Sequence, residues 1–128
     1  MTDAPAPTIL VVDDDPMLST MVRIMLERSG FAAVVFNSGQ AALEWLTTHQ
    51  PAAIVLDVMM PDLDGYGVLQ AVRASPDTHN LPVVMLTALH DSESRETAAR
   101  AGANAYLTKP VARQTLVETL RRALAPVA

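Results

Sequence analysis

Six side chains in this sequence have types and spacing suited to one piece of chemistry. They are the consecutive carboxylates Asp13, Asp14 and Asp15, a separate Asp57, the hydroxyl of Thr87 and the ammonium of Lys109. Carboxylates crowded together repel one another, which raises their pKa values unless a cation joins them. With oxygen donors alone that cation is a hard one, and Mg²⁺ suits best because it keeps several waters and takes one or two carboxylates plus a phosphate oxygen. Lys109 would add positive charge where a transferred phosphoryl group carries negative charge, and Thr87 a hydroxyl donor to the same group. Phosphoryl transfer asks for little beyond positioning and charge neutralisation, so this set suffices if the fold brings it together.

The surrounding sequence predicts elements that would do so. Four apolar, β-branched-rich runs read as strands: Ile9 to Val12, Ala32 to Phe36, Ala52 to Leu56 and Val83 to Leu86, with a weaker fifth at Ala105 to Leu107. Three of them lack polar alternation, as central strands of a parallel sheet do when both faces are covered. Helical spacing fills the intervals. A first helix from Pro16 to about Ser29 repeats Leu18, Met21, Val22, Met25 and Leu26 before Gly30. A second follows Ser38 as N-cap to about His49, with Ala42, Leu43, Trp45 and Leu46 inward and Pro51 beyond. Others cover about Tyr66 to Ala74, Asp91 to Ala101 and Arg113 to Leu124.

Strand and helix thus alternate five times, and right-handed crossovers place helices on both faces of a parallel sheet. The expected fold is α/β: a flavodoxin-like, doubly wound five-stranded parallel sheet, (βα)5, in strand order 2-1-3-4-5. Ligands in such sheets bind outside the carboxyl ends of the strands, where strand order reverses. Strand one ends in Asp13-Asp14-Asp15, strand three in Asp57, strand four in Thr87-Ala88, and strand five runs into Thr108-Lys109-Pro110. The reactive groups are therefore expected on one rim.

Composition narrows the function. The chain of 128 residues is half hydrophobic and 18% charged, which predicts one soluble globular domain over residues 8–124 with tails at 1–7 and 125–128. Neither a membrane span nor a secretion signal is visible, and the absence of cysteine excludes disulfides and thiolate metal sites, so a cytoplasmic location is expected. A net charge of -5 disfavours direct nucleic-acid binding, the only basic doublet being Arg121-Arg122. The chain could stand alone or be cut from a longer protein.

Four segments resemble the receiver domains of bacterial two-component response regulators, the stand-alone chemotaxis type included. They are Ile9 to Asp15, Asp57 to Gly65, Leu86-Thr87-Ala88, and Gly102 to Pro110. The likeness spans about residues 8–124. It implies that Asp57 accepts the phosphoryl group from a sensor histidine kinase or histidine phosphotransfer protein, in a signalling switch rather than an enzyme. It implies a Mg²⁺ site made by Asp13, Asp14, Asp57 and the backbone carbonyl of Met59, with Asp14 the more direct ligand of the acidic pair. Thr87, the Ala88 backbone N–H and Lys109 would hold the phosphoryl oxygens, and a cis Lys109-Pro110 bond would aim the ammonium at the site. Phosphorylation would draw in the Thr87 hydroxyl and move the Tyr106 ring from exposed to buried. That remodels the surface of helix four, strand five and helix five, which would engage an output domain or protein.

Other residues carry plainer readings. Asp15 is expected to cap the first helix, and Gly65 to supply a backbone conformation that other residues resist. His49, His79 and His90 read as surface residues, Trp45 as helix packing, and the methionines as core fillers. Asn104-Ala105 stands where winged-helix transcription factors of this resemblance usually carry two Asp, which argues for a monomer or weak dimer over their salt-bridged pairing. Met59 and Leu89, two residues beyond Asp57 and Thr87, are apolar and cannot orient a water, which predicts slow loss of the phosphoryl group. Two rival functions share the fold. One is a phosphorylation-independent, receiver-like protein-binding scaffold, against which the intact Asp57, Thr87 and Lys109 argue. The other is a flavodoxin-like cofactor protein, but a flavin phosphate is cradled by a Ser/Thr/Gly-rich loop after strand one, and three aspartates stand there.

Overall fold

The computed structural model of the protein describes residues 6–125, so the tail assignments at 1–5 and 126–128 lie outside the described residues. Five strands and five helices alternate: β1 (Thr8–Val12), α1 (Pro16–Glu27), β2 (Ala32–Phe36), α2 (Gly39–Leu46), β3 (Ala53–Leu56), α3 (Gly65–Ala74), β4 (Val83–Thr87), α4 (Ser92–Arg100), β5 (Ala105–Thr108) and α5 (Arg113–Leu124). All strand pairs are parallel, in the order β2-β1-β3-β4-β5. Fold and strand order are those expected. Among the described residues, no helix is long and apolar enough to cross a membrane.

The two-residue period of a strand builds two cores from one sheet. Ile9 and Val11 of β1 face α1 and α5, where they pack with Val22, Leu26, Leu116 and Leu120. Leu10 and Val12 face the opposite side with Ala42, Leu46, Val68, Leu69, Val72 and Ala98 of α2, α3 and α4. The inner strands β1, β3 and β4 are buried on both faces, which explains their missing polar alternation, while the edge strands β2 and β5 are half-buried. Leu56 has no exposure, and truncating such a side chain to Ala costs about 2–5 kcal/mol.

Local chemistry sets the helix starts. Asp15 caps α1 by accepting from the N–H groups of Met17 (2.9 Å) and Leu18 (3.2 Å), with Pro16 at the first helical position. Ser38, Asp64 and Asp91 cap α2, α3 and α4 in the same way. Helix ends depart from the sequence reading: α1 stops at Glu27 and α2 at Leu46, each two or three residues early. Polar turn residues finish both, and Gly30 adopts a positive φ of 95° that ends the α1 turn.

The inward assignments hold in part. Leu43 and Trp45 pack against the core of the α2, α3 and α4 side while staying half-buried, Trp45 stacking on His49 with centroids 4.5 Å apart. On α1, Met17, Leu18, Met21 and Ile24 are exposed, as is Met59, so the methionines are not uniformly core fillers. Over the roughly three turns of α1, apolar residues cover more of the helix circumference than the sheet and α5 can bury. The three histidines are exposed, as expected.

Candidate functional site

Sheet register brings the predicted residues to one rim. The Asp57 N–H donates to Val12 O (2.9 Å), which sets the end of β3 beside the end of β1. The Lys109 N–H donates to Thr87 O (2.8 Å), fixing the residue after β5 against the end of β4. The Lys109-Pro110 peptide bond is cis, as expected. Carboxylate oxygens of Asp13, Asp14 and Asp57 lie within 4.8 Å of one another, Asp13 and Asp57 buried and Asp14 exposed. Three hard oxygen donors with one face open to solvent fit a hydrated Mg²⁺.

Lys109 is the counter-ion of this cluster. Its ammonium sits 2.6 Å from Asp13 Oδ2 and 3.1 Å from Asp57 Oδ2. Burial alone would push the Lys109 ammonium down, but its hydrogen bonds and charge attraction to the two carboxylates outweigh that and hold it above its ordinary pKa. Burial pushes the Asp13 carboxyl up, opposed by Lys109 and by the Asp15 N–H that donates to Oδ1 (2.9 Å). Asp57 Oδ1 accepts from the Met59 N–H at 3.3 Å. Around one ammonium the three carboxylates keep an excess of negative charge, the condition under which a divalent cation binds.

One residue that supports the site escaped sequence reasoning. Asn37, directly after β2, donates through Nδ2 to Asp13 O (2.7 Å) and to Ser19 Oγ (3.1 Å), tying the acidic turn to a buried serine of α1. Gly65 holds its place for a reason other than the expected one. Its φ is not positive; instead, a Cβ there would stand 2.2 Å from Asp57 O and 2.7 Å from Val58 Cα. The backbone of α3 approaches the acceptor too closely for any side chain.

Thr87 is fully buried at the end of β4, and Oγ1 faces the Leu89 N–H at 3.5 Å. Ala88 is exposed beside it. Tyr106 Oη donates to Leu89 O (3.0 Å), and the Arg95 guanidinium lies 4.9 Å from the ring centroid. Leu89 therefore joins Thr87 to Tyr106 through its own backbone. The ring is already half-buried and packed on the core of the α2, α3 and α4 side, rather than exposed, because this hydrogen bond and Arg95 hold it inward. Asn104, which sequence marked as a departure, turns to the fold: Oδ1 accepts from the Val83 N–H (2.8 Å) and from Arg73 Nη2 (3.0 Å).

Comparison with known proteins supplies the context. A family model described as response regulator receiver domain matches residues 9–121. An uncharacterised 14.6 kDa protein from the sodA1 3' region of Leptolyngbya boryana is 44% identical over 103 residues, covering 80% of this chain and 79% of that protein. A chain described as a response regulator of Chloroflexus aurantiacus superposes with a TM-score of 0.91 at 37% identity, covering 94% of this chain and 99% of that one. The receiver domain of sensor histidine kinase PA1611 from Pseudomonas aeruginosa superposes with a TM-score of 0.86 at 32% identity, covering 93% and 98%, and is described with a magnesium ion coordinated in its active-site cleft. Curated transcriptional regulators and response regulators are also similar, and the chain spans 49% or less of their length.

Proposed function

The chain belongs to the response regulator receiver domain family, and from that premise we propose that it is the phosphoryl-accepting switch of a two-component phosphorelay, with Asp57 as acceptor. The observation that carries this reading is the buried Asp57 carboxylate, 3.1 Å from the Lys109 ammonium and grouped with Asp13 and Asp14. An Asp57 oxygen attacks the phosphorus of a phosphohistidine on a sensor histidine kinase or histidine phosphotransfer protein. The P–O bond forms as the P–N bond breaks, and the imidazole leaves. Lys109 then pairs with the phosphoryl oxygens, joined by the Thr87 hydroxyl and the Ala88 N–H. Asp13, Asp14, Asp57 and the Met59 carbonyl would hold Mg²⁺, which supplies charge neutralisation to the transferred group.

The donor needs a surface beside this rim. Met17, Leu18 and Met21 on the first turns of α1, with Met59 after β3, expose apolar area next to the acidic turn. We assign the donor's docking to them.

Output follows from the connection through Leu89. When the Thr87 hydroxyl turns to a phosphoryl oxygen it releases the Leu89 N–H, and the peptide that anchors Tyr106 is free to move. Because the ring is half-buried beforehand, phosphorylation deepens and fixes an inward state that is already populated. The surface of α4, β5 and α5 reads that state to an output domain or protein. The proposal includes a cytoplasmic setting, a monomer or weak dimer, and no direct nucleic-acid contact by this domain.

Incubation with Mg²⁺ and acetyl phosphate or phosphoramidate, followed by intact-mass measurement, tests the reading. Wild type should gain one phosphoryl group and Asp57→Asn should not. Addition to the variant at the wild-type level would overturn the assignment.

A further inference from the structure

We propose that the cleft between α1 and α5, walled by Arg28, Arg113 and Arg121, is a docking site for an acidic, apolar-studded segment of a partner protein. The cleft has a volume of about 370 Å³ and includes the buried Val117 in its lining. Among the described residues, none of the three guanidinium groups has a carboxylate within salt-bridge distance. Arg121 has a single long contact, 3.4 Å to Ser29 O. Glu118 also lines the cleft, but its carboxylate accepts from Gln114 Nε2 (3.1 Å) one turn earlier on the same helix.

Charge distribution identifies the occupant's sign. Residues 16–28 and 113–124 carry Arg23, Arg28, Arg113, Arg121 and Arg122, five of the chain's nine cations, but only Glu27 and Glu118 of its fourteen carboxylates. An acidic protein therefore keeps a cationic face on one side of its sheet. Three guanidinium groups around one cleft repel, and an incoming carboxylate relieves that repulsion while accepting the paired N–H donors of the fork.

Shape favours a polypeptide over a compact anion. The cleft meets a second one, of about 300 Å³, at Ser29 and Arg121, and the lining there turns apolar with Phe31 and Leu124. A free phosphate would leave that extension empty. A helix or extended segment with acidic and aliphatic side chains would fill both parts, as peptides do in grooves. The site lies on the α1 and α5 side of the sheet, whereas α4 packs on the other. A partner could stay docked here while α4 and β5 respond to phosphorylation.

The probe is a capped synthetic helical peptide with Glu and Leu at alternating i, i+4 and i, i+3 positions, titrated into the ¹⁵N-labelled full chain. Saturable amide shifts are expected at Ser29, Val117, Arg121 and Leu124, with affinity reduced roughly tenfold in the triple variant R28E, R113E, R121E and weakened by added salt. The milder triple Gln variant, checked by circular dichroism, should lose part of the affinity with its fold intact. Both variants should still gain the phosphoryl group at Asp57, which separates a failure here from a failure of the acceptor assignment. Unchanged peptide affinity in the Glu variant overturns the proposal. So does pyrophosphate binding as tightly as the peptide, which would make this a compact-anion site. Self-association that the Glu variant abolishes and the peptide cannot compete would likewise overturn it, in favour of a second copy of the chain.

Discussion

Lys109 offsets two buried carboxylates at once, so its removal leaves both unpaired. Breaking a buried ion pair costs about 3–5 kcal/mol, and because the Lys109 side chain keeps some solvent contact we expect about 2–3 kcal/mol from Lys109→Met in denaturant unfolding without metal. Saturating Mg²⁺ should recover much of that loss, because a divalent cation restores the missing charge; no recovery would mean that the carboxylates do not share one site. Asn37→Ala should cost about 1–2 kcal/mol, since the Asp13 carbonyl and the buried Ser19 hydroxyl lose their donor. It should also weaken Mg²⁺ binding, whereas Asn37→Ala with unchanged Mg²⁺ affinity would reduce Asn37 to a packing role. If Asp57 carries the phosphoryl group as proposed, Met59 and Leu89 are expected to bear on its lifetime. Replacing Met59, which is 59% exposed, with Asn introduces a group able to orient water near Asp57, and the phosphoryl half-life should shorten several-fold in a mass-spectrometric time course. At this scale the carboxylates, Thr87 and Lys109 were legible because strand ends in a parallel sheet converge. Asn37 was not, because its partners are a backbone carbonyl and a serine eighteen residues away, which no spacing rule records.

Among the elements, α4 is held most lightly. Its sequence is polar, it buries only Ala98, and its start depends on the Asp91 carboxylate, which accepts from both the backbone and the hydroxyl of Ser94 at 2.9 Å. Tyr66 Oη adds one more tether, donating to Ser94 O at 3.1 Å. An element with few buried contacts opens locally at low free energy, which suits the remodelling proposed for this surface. Amide hydrogen exchange should therefore be faster in α4 than in α1 or α5. Asp91→Ala should raise it further by removing a cap worth about 1 kcal/mol. Equal protection in α4 and α5 would argue against α4 as the mobile part of the output surface. The opposite end of the same region is clamped. Arg73 of α3 donates to His79 O, Leu81 O, Gly102 O and Asn104 Oδ1, joining both loops that flank β4. Periodicity foretold each helix, but not this contrast, because anchorage depends on hydrogen bonds between segments distant in sequence.

At the scale of the whole molecule, the alternation of strand and helix determined the topology, since parallel crossovers of one hand leave few ways to cover both faces of a sheet. The two cores follow from strand period alone. What the pattern left open was where excess apolar surface would be exposed, because Met17, Leu18 and Met21 satisfy helical spacing as well as Val22 and Leu26 do. Neighbours, not period, decide which side of α1 is covered. The molecule as a whole also sets how the acidic rim is felt in stability. Its acidic cluster forms only where the folded chain brings β1 and β3 together, so a metal held there would bind the native state in preference to the unfolded one. Binding at a hundredfold excess over Kd then adds about 2.7 kcal/mol to the unfolding free energy. For a domain of this length that corresponds to a rise in Tm of roughly 10 °C. Asp14→Asn separates the two terms. Asp14 is exposed and, among the described residues, makes no salt bridge, so its neutralisation removes repulsion from the metal-free form and should raise that form's Tm slightly. The same substitution removes a proposed ligand and should lower the Mg²⁺-induced rise. The two Tm changes should thus have opposite signs in one variant, which differential scanning calorimetry with and without Mg²⁺ can read directly. A variant less stable without metal, yet with an undiminished response to Mg²⁺, would place Asp14 outside the site and leave Asp13 and Asp57 to hold the ion.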